Sequence, residues 1–158
     1  MMPEAQQVAA LPWRLHDGRF QILLVTTRET KRWVIPKGWP MAGKTAWEAA
    51  AIEAFEEAGV AGPVEELPCG NFEYRKRRAK STDLLIRVSV YALEVTDEAR
   101  RWPEMRERKR QWFTPAEAGN RVGEQGLKQI IAEFANTRGV VFAEPKLKWF
   151  HWFRRLFG

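Results

Sequence analysis

Residues 45–59, TAWEAAAIEAFEEAG, leave the backbone little choice. Thr45 followed three positions later by Glu48 is a capping box, in which side-chain oxygens take up backbone donors that a first helical turn leaves unpaired. The alanine-rich interior favours a helix over residues 45–58, and Gly59 supplies its stop by entering the left-handed conformation that other residues avoid. Just upstream, Pro36, Gly38, Pro40 and Gly43 break regular structure and build a loop. On the helix, Glu53 lies one turn from both Glu56 and Glu57, so three carboxylates share one side and repel one another mildly. Two readings of that side stand. It is a solvated acidic face balanced by nearby Lys and Arg. Alternatively, it receives a hard divalent cation such as Mg²⁺, which takes a few carboxylates and completes its shell with waters and phosphate oxygens.

Elsewhere the pattern is mostly strand. Residues 20–27 (FQILLVTT) and 33–35 (WVI) are β-favouring runs, and the polar RETKR between them reads as a hairpin-like turn. Residues 70–77 read as a strand running into the basic stretch RKRRAK. Residues 84–95 form a long strand with Leu84, Ile86, Val88, Val90 and Ala92 on one face. A second basic stretch, residues 106–110, leads into QWF. Leu127, Ile130, Ile131 and Phe134 then have the spacing of an amphipathic helix. Strands, a helix, more strands and a helix predict an α+β or α/β sandwich with mixed strand directions. At 158 residues and 45% hydrophobic content, the chain fits one ordered domain.

The formal charge of +6, from 26 Lys and Arg against 20 Asp and Glu, favours an anionic partner: a polyphosphate, a nucleic acid or an acidic membrane surface. The single cysteine, Cys69, excludes an intrachain disulfide and reads as a half-buried strand thiol rather than a nucleophile. The first residues, MMPEAQQVAALPW, lack the basic-then-apolar pattern of a signal peptide, and no run approaches eighteen apolar residues. The expected location is cytoplasmic.

The loop and helix together, residues 36–60 (PKGWPMAGKTAWEAAAIEAFEEAGV), resemble the Nudix box, and Gly38, Glu53, Glu56, Glu57, Gly59 and Val60 match it in register. The resemblance implies an α/β/α sandwich with a mixed sheet over residues 8–137, and hydrolysis of a phosphoanhydride bond with Mg²⁺ or Mn²⁺. It also implies metal ligation by Gly38, Glu53, Glu56 and Glu57, with the three glutamates as the catalytic groups. The sequence departs from the pattern at two positions. Lys44 stands where the family carries its first Glu, and Ile52 where it carries an Arg that orients the glutamates. Outside the box, VTTRETKRWVIPKG, FEYRKRR and ERKRQWF resemble the diphosphoinositol polyphosphate phosphohydrolase branch. That likeness implies a highly charged small-molecule substrate, a diphosphoinositol or dinucleoside polyphosphate, bound by Thr26, Arg28, Lys37, Arg77 and Arg108, with Arg14 as a further cation. Glu104 and Glu107 would join the site if their loop folds over it. Nucleotides or capped RNA, with Trp33 or Trp39 stacking a base, and a non-catalytic binding module are the alternatives.

Residues 138–158 read as a basic, aromatic C-terminal tail expected to be helical, in which residues 146–158, KLKWFHWFRRLFG, place aromatic residues on one helical face and cations towards the other. Such a tail suits a peripheral membrane contact, packing on its own domain, or a second copy in a homo-oligomer.

Overall fold

A computed structural model describes the backbone of residues 2–143 and the side chains of residues 2–138. The aromatic tail of residues 146–158 therefore lies outside the described residues. The elements run in the order β1 (Glu4–His16), β2 (Arg19–Thr26), β3 (Trp33–Val34), β4 (Lys37–Gly38), α1 (Ala46–Ala58), β5 (Val60–Ala61), β6 (Gly70–Lys76), β7 (Leu84–Glu94), β8 (Asp97–Glu98), β9 (Arg110–Phe113), α2 (Pro115–Arg121) and α3 (Gln125–Ala143). Seven strands form one sheet in the order β3-β2-β1-β7-β6, with β4 added to β1 and β9 to β2. The β1–β7 ladder is parallel and every other pair is antiparallel, so the sheet is mixed as expected. The short strands β5 and β8 pair apart from it.

The alternation of the pleat builds two cores. Ala9, Leu11 and Trp13 of β1, Ile22 and Leu24 of β2, and Ile86, Val88, Val90 and Ala92 of β7 face one way, where Leu127, Ile130, Ile131 and Phe134 of α3 cover them. Val8, Ala10, Leu23, Val25, Tyr91 and Leu93 face the other way, against Ala49, Ala50, Ala54 and Ala58 of α1. Helix, sheet and helix thus form an α/β/α sandwich. No helix among the described residues is long and apolar enough to cross a membrane.

The long central strand β1 is not apparent in the sequence, because alanines and a proline dominate VAALPW. The proline is tolerated for a positional reason. Ala10 donates its N–H to Pro36 O, so the nitrogen of Pro12, two residues on, faces the same edge. There β1 pairs with β4 at Val8 and Ala9 and with β2 from Trp13 onward, and Pro12 falls between these two ladders.

Helix α1 begins at the expected cap, where Glu48 N–H donates to Thr45 Oγ1 at 3.2 Å, but the Glu48 carboxylate accepts the Thr45 hydroxyl at 2.9 Å instead of a backbone donor. Its end is tied down by a distant loop. Gly59, at φ 67°, returns its N–H to Phe55 O. Trp102 Nε1 donates to Glu57 O at 3.0 Å, and Arg110 Nη1 donates to Ala58 O at 2.8 Å. These donors satisfy carbonyls that the last turn leaves open. The Arg110 guanidinium stacks 4.0 Å over the Trp102 ring, so the 99–110 segment is fastened to the helix end.

Candidate functional site

Three pieces of chain meet at the acidic side of α1: strand β4, the turns of residues 102–109, and the helix itself. The Glu53 carboxylate lies directly against Gly38. A Cβ placed on that glycine would sit 2.2 Å from Glu53 Oε1, so the carboxylate occupies space that any other residue would fill. One turn on, Glu57 is only 6% exposed. Its Oε2 accepts the Lys37 backbone N–H at 3.2 Å, and its Oε1 accepts from Arg108 Nη2 at 3.1 Å. Glu56 is half-buried, and its backbone carbonyl accepts the Glu104 N–H at 3.0 Å. That bond brings the loop over the helix, and Glu104 joins the carboxylates. Arg108 spans the group: Nε donates to Glu104 Oε1 at 3.2 Å, and Nη1 to Thr26 O at 3.1 Å.

Crowding and burial change the protonation of this group. The Glu53 carboxyl is pushed up to about 7, chiefly by burial and then by the charges of Glu56 and Glu104, against the pull of Arg108 and Lys37. Glu57 is also raised to about 7; burial outweighs the favourable charge of Arg108, and Glu53 adds to the rise. Burial lowers the Lys37 ammonium below its ordinary value, opposed by Glu57 and Glu124. Both carboxyls bind protons more tightly in the folded chain than in the unfolded one, whose value is near 4.5. Below that value both states are protonated. As the pH rises from there through about 7 the unfolded chain ionises first, and the metal-free fold loses stability. Its thermal midpoint is therefore expected to fall between about pH 5 and pH 7.5 from this source, by on the order of 10 °C. Glu53→Gln, which cannot ionise, should show a shallower fall in the same melting series. Equal slopes would contradict the raised Glu53 carboxyl.

The other expected site residues fall in different places. Thr26 is buried, and its hydroxyl accepts the Lys109 N–H at 2.9 Å, so it fixes the 108–109 segment from β2. Arg28 is exposed at the rim, with Nη1 3.9 Å from Glu104 and 3.8 Å from Glu107. The Lys37 ammonium lies 5.1 Å over the Tyr74 ring. Arg77 is exposed just past the end of β6. Arg14 is engaged with Gln21, Glu98 and the Trp112 ring. Trp33 packs edge-on against Phe113 in the core, whereas Trp39, next to Gly38, is 45% exposed with Lys76 Nζ 5.6 Å from its ring. Lys44 is exposed, and Ile52 is half-buried on α1. Cys69 packs against the α3-side core in a bend before β6, and burial pushes its thiol up to about 11, which keeps it a poor nucleophile.

The donor set is oxygen-only, and the glycine gap leaves Glu53 beside the backbone of β4, which suits a hard cation. Among the described residues no three carboxylates are already gathered at metal-binding distance. Glu57 has both oxygens committed to Arg108 and Lys37 N. Trp102 and Arg110, which anchor the loop, were not foreseen. For Arg110 the sequence signal is its i, i+2 spacing from Arg108, which sends two basic side chains to the same side of an extended segment, and Trp102 has no such signal.

The sequence profile of the NUDIX domain matches residues 5–134. Nudix hydrolase 12, mitochondrial, of Arabidopsis thaliana is 34% identical over 120 residues, covering 74% of this chain and 59% of that protein. Diphosphoinositol polyphosphate phosphohydrolase 3-beta of Bos taurus is 37% identical over 115 residues, covering 72% of this chain and 66% of that protein. The chain thus spans about three fifths of the length of these relatives. Among solved structures, a C. elegans Ap4A hydrolase binary complex superposes with a TM-score of 0.64 at 18% identity, covering 85% of this chain and 97% of that one. That likeness bears on the fold.

Proposed function

The chain belongs to the Nudix family, and from that premise we propose that it hydrolyses a phosphoanhydride bond in a highly charged polyphosphate, a dinucleoside or diphosphoinositol polyphosphate. The observation that carries the reading is the Glu53 carboxylate seated against Gly38, with Glu57 one turn on and joined through Arg108 to Glu104, and with Arg28 at the rim. Substrates named for two similar proteins, Ap4A and diphosphoinositol polyphosphate, agree with it. We read residues 8–137 as the hydrolase domain.

Gly38 through its carbonyl, with Glu53, Glu56 and Glu57, would hold Mg²⁺ or Mn²⁺. A cation there supplies neutralisation of charge on phosphoryl oxygens and acidifies a water. Glu53 or Glu56 would orient a water for attack on phosphorus and accept its proton. Arg28, Lys37 and Arg77 supply positive charge along the polyphosphate, Arg by paired donors and Lys as a compact point charge. The half-exposed Trp39 favours, within this class, a substrate that carries a base.

The test is turnover of Ap4A and of a diphosphoinositol polyphosphate by the full chain, with Mg²⁺ or Mn²⁺ and after chelation. The expected result is hydrolysis that falls roughly 100-fold or more on removing the metal. Calorimetric titration of the metal alone should show proton release near neutral pH, because the ligands must deprotonate to bind. Metal binding without turnover of either substrate class would replace this reading with the non-catalytic module.

A further inference from the structure

Helix α1 carries Glu48, Glu53, Glu56 and Glu57 and no Lys or Arg. The cation that its acidic side needs arrives from elsewhere. We propose that Arg108 is a positioning residue, which locks the Glu57 and Glu104 carboxylates to each other and so sets the reactive geometry, rather than a grip on substrate. This inference rests on the proposed hydrolase reading.

The geometry of the guanidinium carries the argument. Nη2 lies 3.1 Å from Glu57 Oε1 and 3.2 Å from Glu104 Oε1, Nε donates to Glu104, and Nη1 donates to the Thr26 carbonyl. A guanidinium has five N–H groups, and three of those on Arg108 donate to protein oxygens, one from each nitrogen. The side chain is 9% exposed, against 61% for Arg28, which has no contact shorter than 3.8 Å to a carboxylate. Arg108 is therefore committed and Arg28 remains available at the rim. The position is itself held from two sides. The Lys109 N–H bonds to Thr26 Oγ1, and the Thr26 N–H bonds to Lys109 O, so β2 fixes the backbone next to Arg108. The Arg108 N–H bonds to Glu104 O, which closes the turn that presents Glu104. Ile52 cannot supply an ion pair from the helix, and the fork of Arg108 does so from the opposite wall. A lysine would keep the charge but could not join Glu57, Glu104 and the Thr26 carbonyl at once.

The experiment uses the full chain as wild type, Arg108→Lys, Arg108→Met, Glu104→Gln and the double Arg108→Lys/Glu104→Gln. The expected result is a fall in kcat of about 10- to 100-fold for Arg108→Lys, with KM little changed, the scale on which loss of a supporting partner impairs a site. The double variant should lose less than the product of the two single effects, since Arg108 acts through Glu104. A raised KM at unchanged kcat, or fully multiplicative losses, would overturn the proposal and return Arg108 to the substrate. Amide exchange gives a readout independent of turnover. Protection of the Glu104 N–H, which bonds to Glu56 O, should drop in Arg108→Met while core amides of β7 stay protected. Unchanged protection at Glu104 also overturns the proposal. A wild type inactive on every substrate would remove the hydrolase reading, and the exchange result would still decide whether Arg108 positions Glu104.

Discussion

Glu57→Gln is expected to lower turnover roughly 100-fold or more, the scale on which losing one preorganised charged group slows an enzyme. The two oxygens of Glu57 both accept hydrogen bonds, one from Arg108 and one from the Lys37 backbone. A glutamine offers one acceptor and one NH₂, so whichever way the amide turns, its donor faces another donor. The substitution also leaves the buried Arg108 guanidinium with less compensating charge. Some stability is lost with it, and circular dichroism should be recorded beside kcat to show that the variant remains folded. Turnover equal to wild type would sink the assignment of Glu57 to the metal.

Gly38→Ala is the second substitution with a large expected effect, and it acts through sterics alone. The new Cβ would lie 2.2 Å from Glu53 Oε1 and 2.4 Å from Cδ, so the carboxylate must swing away. Gly38 does not have the positive φ that would strain an alanine, which confines the perturbation to the Glu53 contact. A displacement on the order of 1 Å at a reacting group costs about 100-fold in rate, and a loss of that order is expected here with little change in thermal midpoint. Glu53→Gln should lose about as much, and the double variant little more than either single, because both changes disable the same carboxylate. Full activity in Gly38→Ala would mean that Glu53 does not work from the position it holds beside β4.

The sequence made some of this legible through local rules. The Thr45–Glu48 cap and Gly59 bound α1 to within a residue, because both act on the backbone next to them. The inward face of β7 follows from period-two alternation, and Ile86, Val88, Val90 and Ala92 all lie in the α3-side core, with Leu84 packed against it. Other features depend on partners far away in the chain. β1 has only Val8 and Trp13 as β-favouring residues among its thirteen and is a strand because β7, β2 and β4 flank it. The short helix α2, seven residues capped by Thr114, is too brief to show a helical period. Strands β5 and β8 have two residues each, and no pattern can identify them. At the site, the register of the three glutamates was readable, whereas the closeness of Glu104 and the commitment of Arg108 depend on a loop folding back across the helix. The sequence reads Arg28 and Arg108 alike as cations for the substrate, and only that closure separates the exposed Arg28 from the buried Arg108.

The parallel ladder at the centre of the sheet also governs how the chain is born. Glu4 lies opposite Leu85 and Trp13 opposite Glu94, a separation of 81 residues at both ends. Synthesis delivers β1 first, and its central partner emerges only after Gly38, Glu53 and Glu57 have left the ribosome. The β1–β2 hairpin can form early, but the apolar run from Val8 to Trp13 keeps one edge open until β7 arrives. Long-range parallel pairing of this kind folds slowly and exposes sticky edges while it waits. Nascent chains stalled before residue 84 should therefore be the ones that chaperones hold.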